Sequence, residues 1–322
     1  MSTPAGTSEA PLPQSQPVAR AEVIIKHPFH WALKRELWEH RSLYIAPIVV
    51  AGIVLLGGLL NAVFLLNGGV EILVALAPEK QRAVLGGVYA GVGSLLMVVM
   101  SIVAWFYCLD ALHGERRDRS ILFWKSLPVS DLATVLAKLS VPGVAIPVIT
   151  FVFSVALQLA LLILATIVVA VAGHSPVMLW TQTPFFEMVL MLAYGIVVTT
   201  LWYAPIYGWL LLVSSWARRS TFLWAVMPPF GVCLLEKMAF GTNHFLHVIA
   251  QRLFGWSPYV ASGGMGRLEF DEASRTMSWS QMMAQVFRPT EFLSDPGLWL
   301  GLVAGAAFVA AATWMRRYRE PL

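Results

Sequence analysis

Few residues in this chain stand at spacings that support chemistry. His27 and His30, and again His244 and His247, lie three apart, which would put each pair on one helix face. Neither pair has a neighbouring cysteine or an obvious third carboxylate ligand, so neither makes a metal site. No His-Glu-x-x-His and no Gly-x-x-x-x-Gly-Lys-Ser/Thr occurs. Ser262-Gly263-Gly264-Met265-Gly266 shares a Ser-Gly-Gly with a nucleotide-hydrolysis signature, but with no phosphate loop it reads as a turn. Gly91-Val92-Gly93-Ser94 is not a nucleophile elbow. Gly87 with Gly91, Ala90 with Ser94, and the series Gly297, Gly301, Gly305 are small-x-x-x-small sets suited to close helix packing. Cys108 and Cys233 sit in or beside apolar runs and read as small core residues. No catalytic, cofactor-binding or metal residue is expected, and the chain is not expected to be an enzyme.

One segment remains. Asp110–Lys138 carries nine of the forty formal charges (22 Lys and Arg, 18 Asp and Glu). They are Asp110, Glu115, Arg116, Arg117, Asp118, Arg119, Lys125, Asp131 and Lys138. Gly114 interrupts a helix that restarts near Glu115. Leu127 precedes Pro128 and is pushed out of the α region. Ser130 then caps a new helix, with Asp131 at its positive end. The expected shape is a charged, rigid elbow that grips a partner.

The elements around this elbow follow from composition. The chain is 58% hydrophobic and 12% charged, against roughly 25% charged in soluble domains, and its mean hydropathy is +0.70. Six runs approach or exceed the ~20 apolar residues that cross a bilayer: about Ser42–Leu66, Val84–Leu109, Leu139–Ala172, Met188–Trp216, Thr221–Phe240 and Gly297–Met315. The third is long enough to tilt or project, with Pro142 and Pro147 placed to bend it. Residues 1–26, rich in Pro, Ser, Ala and Gln, read as a disordered cytoplasmic tail. Residues 27–41 read as an amphipathic helix on the membrane surface, and 42–322 as the six-span domain. Residues 241–296 form the longest outer segment. The stripes Phe245, Val248, Ile249, Leu253, Phe254 and Trp279, Met282, Met283, Val286, Phe287 suit two short helices. These either lie on or dip into the outer leaflet, or pack as a small outer cap.

Six spans put both termini on one side. Fifteen of the 22 Lys and Arg fall on the side holding the termini, residues 110–138 and the Arg218-Arg219 turn; seven fall on the other. The positive-inside rule makes the richer side cytoplasmic. The excess of basic residues, +4 overall, thus records orientation, and no nucleic-acid partner is expected. Ionisable residues within the spans are scarce. Asn61 and Gln158 are expected to bond neighbouring helices, and no ion relay is visible. Energy for any movement across the bilayer would come from another chain.

At these residues the chain resembles the permease subunits of type-2 ABC exporters. The resemblance rests on Glu115-x-x-x-Arg119-Ser120, Leu127-Pro128-Val129-Ser130, Val135-Leu136-x-Lys138, Trp202-Tyr203-Ala204-Pro205, Gly208–Ser214 and Arg218-Arg219, in that order. It covers about Pro28–Arg319. It implies an all-α membrane protein of the bacterial inner membrane, with six transmembrane helices, an N-terminal amphipathic interfacial helix and short outer helices between spans five and six. It implies pairing with a second permease, a copy or a relative, and two ABC ATPase subunits that bind the ATP. The larger outer domain of some relatives has no counterpart. The loop at 110–138 would be the coupling helix, with Glu115, Arg116, Arg119, Trp124 and Leu127 touching the ATPase. The cargo, exported between second and fifth spans, would be apolar or amphipathic: a lipid, a peptide or a drug. Charge reversal at Glu115 and Arg119 would uncouple ATP hydrolysis from transport while sparing membrane insertion. The alternative is a membrane anchor or regulatory subunit that moves nothing.

Overall fold

The computed structural model describes residues 28–118, 130–254, 284 and 287–318, which are helical and contain no strand. In chain order the helices are α1 (Pro28–Glu39), α2 (Ser42–Phe64), α3 (Val70–Ala75), α4 (Pro78–Ala111), α5 (His113–Arg117), α6 (Asp131–Ser140), α7 (Ile146–Val171), α8 (Val177–Gln182), α9 (Phe185–Trp202), α10 (Ala204–Trp216), α11 (Thr221–Phe240), α12 (His244–Phe254), α13 (Pro289–Ser294) and α14 (Pro296–Tyr318). Among the described residues, six helical stretches are long and apolar enough to cross a membrane: Ser42–Ala75, Pro78–Arg117, Asp131–Val171, Phe185–Trp202, Thr221–Phe240 and Pro296–Tyr318. A helix suits such a run because it satisfies every backbone N–H and C=O within one segment.

The stretches differ from their sequence-based bounds where local chemistry extends a helix. The first continues past Leu66 through a wide turn at Leu65–Gly69, where Gly68 takes φ 111°, a conformation glycine adopts without steric cost. Its last carbonyls are met by buried Gln81, whose Nε2 donates to the oxygens of Leu73, Val74 and Leu76 at 3.0–3.2 Å. The second stretch begins at Pro78, well before Val84, because proline suits the first turn of a helix. The third widens into a π-helical turn at Val141–Ala145, which contains Pro142, before running on as α7. In the fourth, Pro205 has no N–H for the carbonyl of Leu201. The helix stops at Trp202 and restarts at Ala204.

Packing is uneven. In its most apolar window the second stretch is 44% buried, while the first and fifth are each 6% buried. The larger core joins Leu43, Met100, Tyr107, Trp202 and Leu211; a second joins Ala62, Tyr89, Leu162 and Leu179 toward the other end. Gln158 crosses from α7 to donate to the Tyr89 carbonyl at 3.1 Å, as expected, whereas Asn61 is exposed. Gly208 and Gly305 let α10 and α14 touch: a Cβ on Gly208 would lie 2.7 Å from the Gly305 oxygen. Gly301 lies under the guanidinium of Arg252, and Gly297 beside Asp295 and Trp202. Gly87 and Gly91 behave otherwise. Both are exposed, with nothing within 4 Å of an added Cβ, so they pack against no helix among the described residues.

Candidate functional site

The charged segment is built into one end of the bundle. Glu115 and Arg116 are only 6% and 4% exposed. Both are expected to touch an ATPase; here their side chains are engaged by the chain's own helices. Lys138 Nζ lies 2.8 Å from Glu36 Oε1 and 3.1 Å from Glu115 Oε1. Arg316 Nη1 donates to Glu115 Oε2, and its Nε lies 3.2 Å from Asp131 Oδ1. The Tyr107 hydroxyl donates to Glu36 Oε2 at 2.7 Å. His40 packs edge-on against the Tyr107 ring. Three carboxylates and two cations thus join α1, α4, α5, α6 and α14. Such a group persists out of water only because each charge has an opposite partner and further hydrogen bonds.

Neutral groups secure the same end. Ser214 Oγ accepts from the backbone N–H of Leu112 and of His113, at 3.0 and 2.9 Å, where α4 gives way to α5. Arg116 Nη1 donates to the carbonyls of Ser215 (2.9 Å) and Ala217 (3.2 Å), the open carbonyl end of α10. Ser130 caps α6 as its sequence predicts, accepting from the Ala133 N–H at 3.2 Å. Asp110, Arg117 and Asp118 are exposed around this base. Arg119, Trp124 and Leu127 lie outside the described residues, as do the Leu127-Pro128 break, residues 1–26 and most of the Trp279–Phe287 stripe.

A second feature lies further along the bundle. An apolar cavity of about 660 Å³ opens between the second, fourth and fifth spans, closed on one side by α12. Its walls include Trp105, Trp209, Val226, Phe230, Ile249 and, as the one charged lining residue among the described residues, Arg252. α12 is fixed at both ends. At its start the Glu236 carboxylate accepts from the N–H groups of His244 (2.7 Å) and Phe245 (2.8 Å). At its end Arg252 Nη1 donates to the Trp202 carbonyl (3.3 Å) and Nη2 to the Gly297 carbonyl (2.7 Å). The guanidinium lies 4.5 Å from the Trp202 ring centroid, a cation–π contact. The Tyr203 hydroxyl donates to the Leu253 carbonyl at 3.0 Å. The break that Pro205 imposes therefore supplies the carbonyl that holds Arg252. Burial lowers the pKa of Arg252, and Asp295 acts in the opposite sense.

Sequence reasoning placed a short helix at Phe245–Phe254 but missed Arg252, Glu36 and Ser214. The Pro205 break was the available signal for Arg252, since a freed carbonyl in an apolar run calls for a donor. Comparison with protein families, curated proteins and solved structures finds no match to this chain.

Proposed function

We propose that this chain is the membrane-spanning permease subunit of an ATP-driven exporter, working with separate ATPase subunits. The observation that carries this reading is the buried ion network at Glu36, Glu115, Lys138 and Arg316. Both arms of the charged loop, α5 and α6, are bonded through it to the first helix and the last span. A push on residues 119–129 would be delivered to four parts of the bundle at once, because charges held in a dry site cannot slide past one another without losing partners. The basic side of the protein faces the cytoplasm, where an ATPase would meet it. α1, with Trp31 and Trp38 exposed and Glu36 turned inward, would lie along that membrane surface. α12 would dip into the outer leaflet, as its bonds to Trp202 and Gly297 favour.

Glu115 is part of the frame here, so its reversal would unfold this end rather than merely uncouple it. The informative variants lie at Arg119 and Trp124. The protein is reconstituted into vesicles with a candidate ABC ATPase, and ATP-driven movement of labelled lipid is followed. Arg119→Glu with Trp124→Ala is expected to leave insertion and thermal stability intact, and to reduce ATP-driven movement at least tenfold, about 1.4 kcal/mol of coupling. Full transport by that variant, or no ATP-driven movement by the native chain, would overturn the reading.

A further inference from the structure

The cavity beside α12 is apolar except at one point, Arg252, a cation that makes no direct ion pair among the described residues and is offset only through space by Asp295. A guanidinium has five N–H donors. Arg252 uses two on carbonyl oxygens and faces the Trp202 ring, and among the described residues no carboxylate lies within salt-bridge distance. Arg316, by contrast, meets two carboxylates. A positive charge in apolar surroundings gains most from an anion that brings its own apolar body. The cavity, about 660 Å³, falls within the roughly 300–1,000 Å³ of sites for small molecules. It runs from Arg252 down past Trp209 to Phe222 at the start of the fifth span.

Depth identifies the kind of anion. Arg252 is bonded at Gly297, and the charged network is reached at Arg316 of the same helix. At 1.5 Å per residue these levels are about 28 Å apart, close to the ~30 Å hydrocarbon core. If the network marks one face of the bilayer, Arg252 stands at the other, at headgroup level, with the cavity descending from it. We propose that the cavity takes an acyl chain of an anionic phospholipid from the leaflet opposite the Glu115 network, with Arg252 receiving its headgroup. The inference rests on the exporter reading only for the further step that the bound lipid is moved; binding requires no ATPase.

Trp105 and Trp209 line the cavity and report on it. The purified full chain is placed in nanodiscs containing acyl-brominated phosphatidylglycerol or acyl-brominated phosphatidylcholine, and the part of the quenching lost in Trp105→Phe/Trp209→Phe is taken as the cavity's own. Phosphatidylglycerol is expected to reach half-maximal cavity quenching at about tenfold lower mole fraction than phosphatidylcholine. Arg252→Gln should bring the two lipids level, and Arg252→Lys should keep most of the preference. Val226→Phe/Ile249→Phe, which fills the cavity without altering Arg252, should abolish the cavity's quenching by either lipid. Equal quenching by both lipids in the native protein, an unchanged preference in Arg252→Gln, or full quenching in the filled variant would each overturn the proposal. Should Arg252→Gln fail to fold, the native and filled proteins still decide. Loss of ATP-driven movement with binding intact would count against the exporter reading and leave the lipid site standing.

Discussion

Lys138 is 2% exposed and touches two carboxylates from distant parts of the chain. Removing one member of a buried ion group leaves its partners charged and dry, which costs about 3–5 kcal/mol. Lys138→Met is therefore expected to lower stability by that amount, measured by denaturant unfolding in detergent. Combining it with Glu36→Gln should recover part of the loss, whereas simple additivity of the two would show that they do not interact. Ser214→Ala would strand the N–H groups of Leu112 and His113 and cost about 1–3 kcal/mol in the same assay. These charges were visible in the sequence as a cluster, but their burial was not. The partners of Glu115 stand at Lys138 and Arg316, and Glu36 gave no sign of facing inward within a helix of mixed polarity. Local spacing reveals a cap such as Ser130; it does not reveal a partner two hundred positions away.

At the scale of elements, apolar runs located all six spans, and their errors fell at the ends. Helices continued through Gly68 and from Pro78 because backbone geometry, not hydrophobicity, decides where a helix stops. The two glycine sets looked alike as patterns and differ in place, since spacing cannot say which face of a helix a neighbour covers. Gly208→Ala, together with Gly305→Ala, should disrupt the α10–α14 contact, lowering the unfolding midpoint sharply. Gly87→Ala and Gly91→Ala should raise helix stability by up to about 1 kcal/mol each; a large loss of stability in the isolated chain would contradict their exposed placement. Ser220 precedes α11 at φ 47°, a left-handed conformation that costs a side-chain-bearing residue about 1–2 kcal/mol. Ser220→Gly should therefore stabilise the protein by about 1 kcal/mol, read as a rise in the detergent unfolding midpoint.

At the scale of the whole molecule, the first and fifth spans bury little against the rest. Their outer faces carry Ile53, Leu60, Phe64, Phe230, Leu235 and Met238, each more than half exposed. Apolar surface of that extent suits a lipid environment or another subunit. Class and the number of candidate spans were legible because the bilayer imposes length and polarity on each span. The cavity was not, because its walls come from five separate segments and its single charge belongs to a helix outside the spans. Replacing residues 119–129 by a flexible glycine–serine linker should preserve the network at Glu115 while abolishing association with an ATPase, checked by co-purification; retained association would move the proposed contact elsewhere.

The network also sets an order of events. A chain is made from its N-terminus, and domains form as they emerge. Glu36, Glu115 and Lys138 are all synthesised long before Arg316. Until the sixth span is inserted, Glu115 lacks one of its two cations, so the nascent bundle holds an incomplete ionic joint that Arg316 closes. A chain ending before residue 316 should insert five spans and most of the sixth, yet turn over faster in pulse–chase labelling than the full-length protein, and Arg316→Met should reproduce that instability in a chain of normal length.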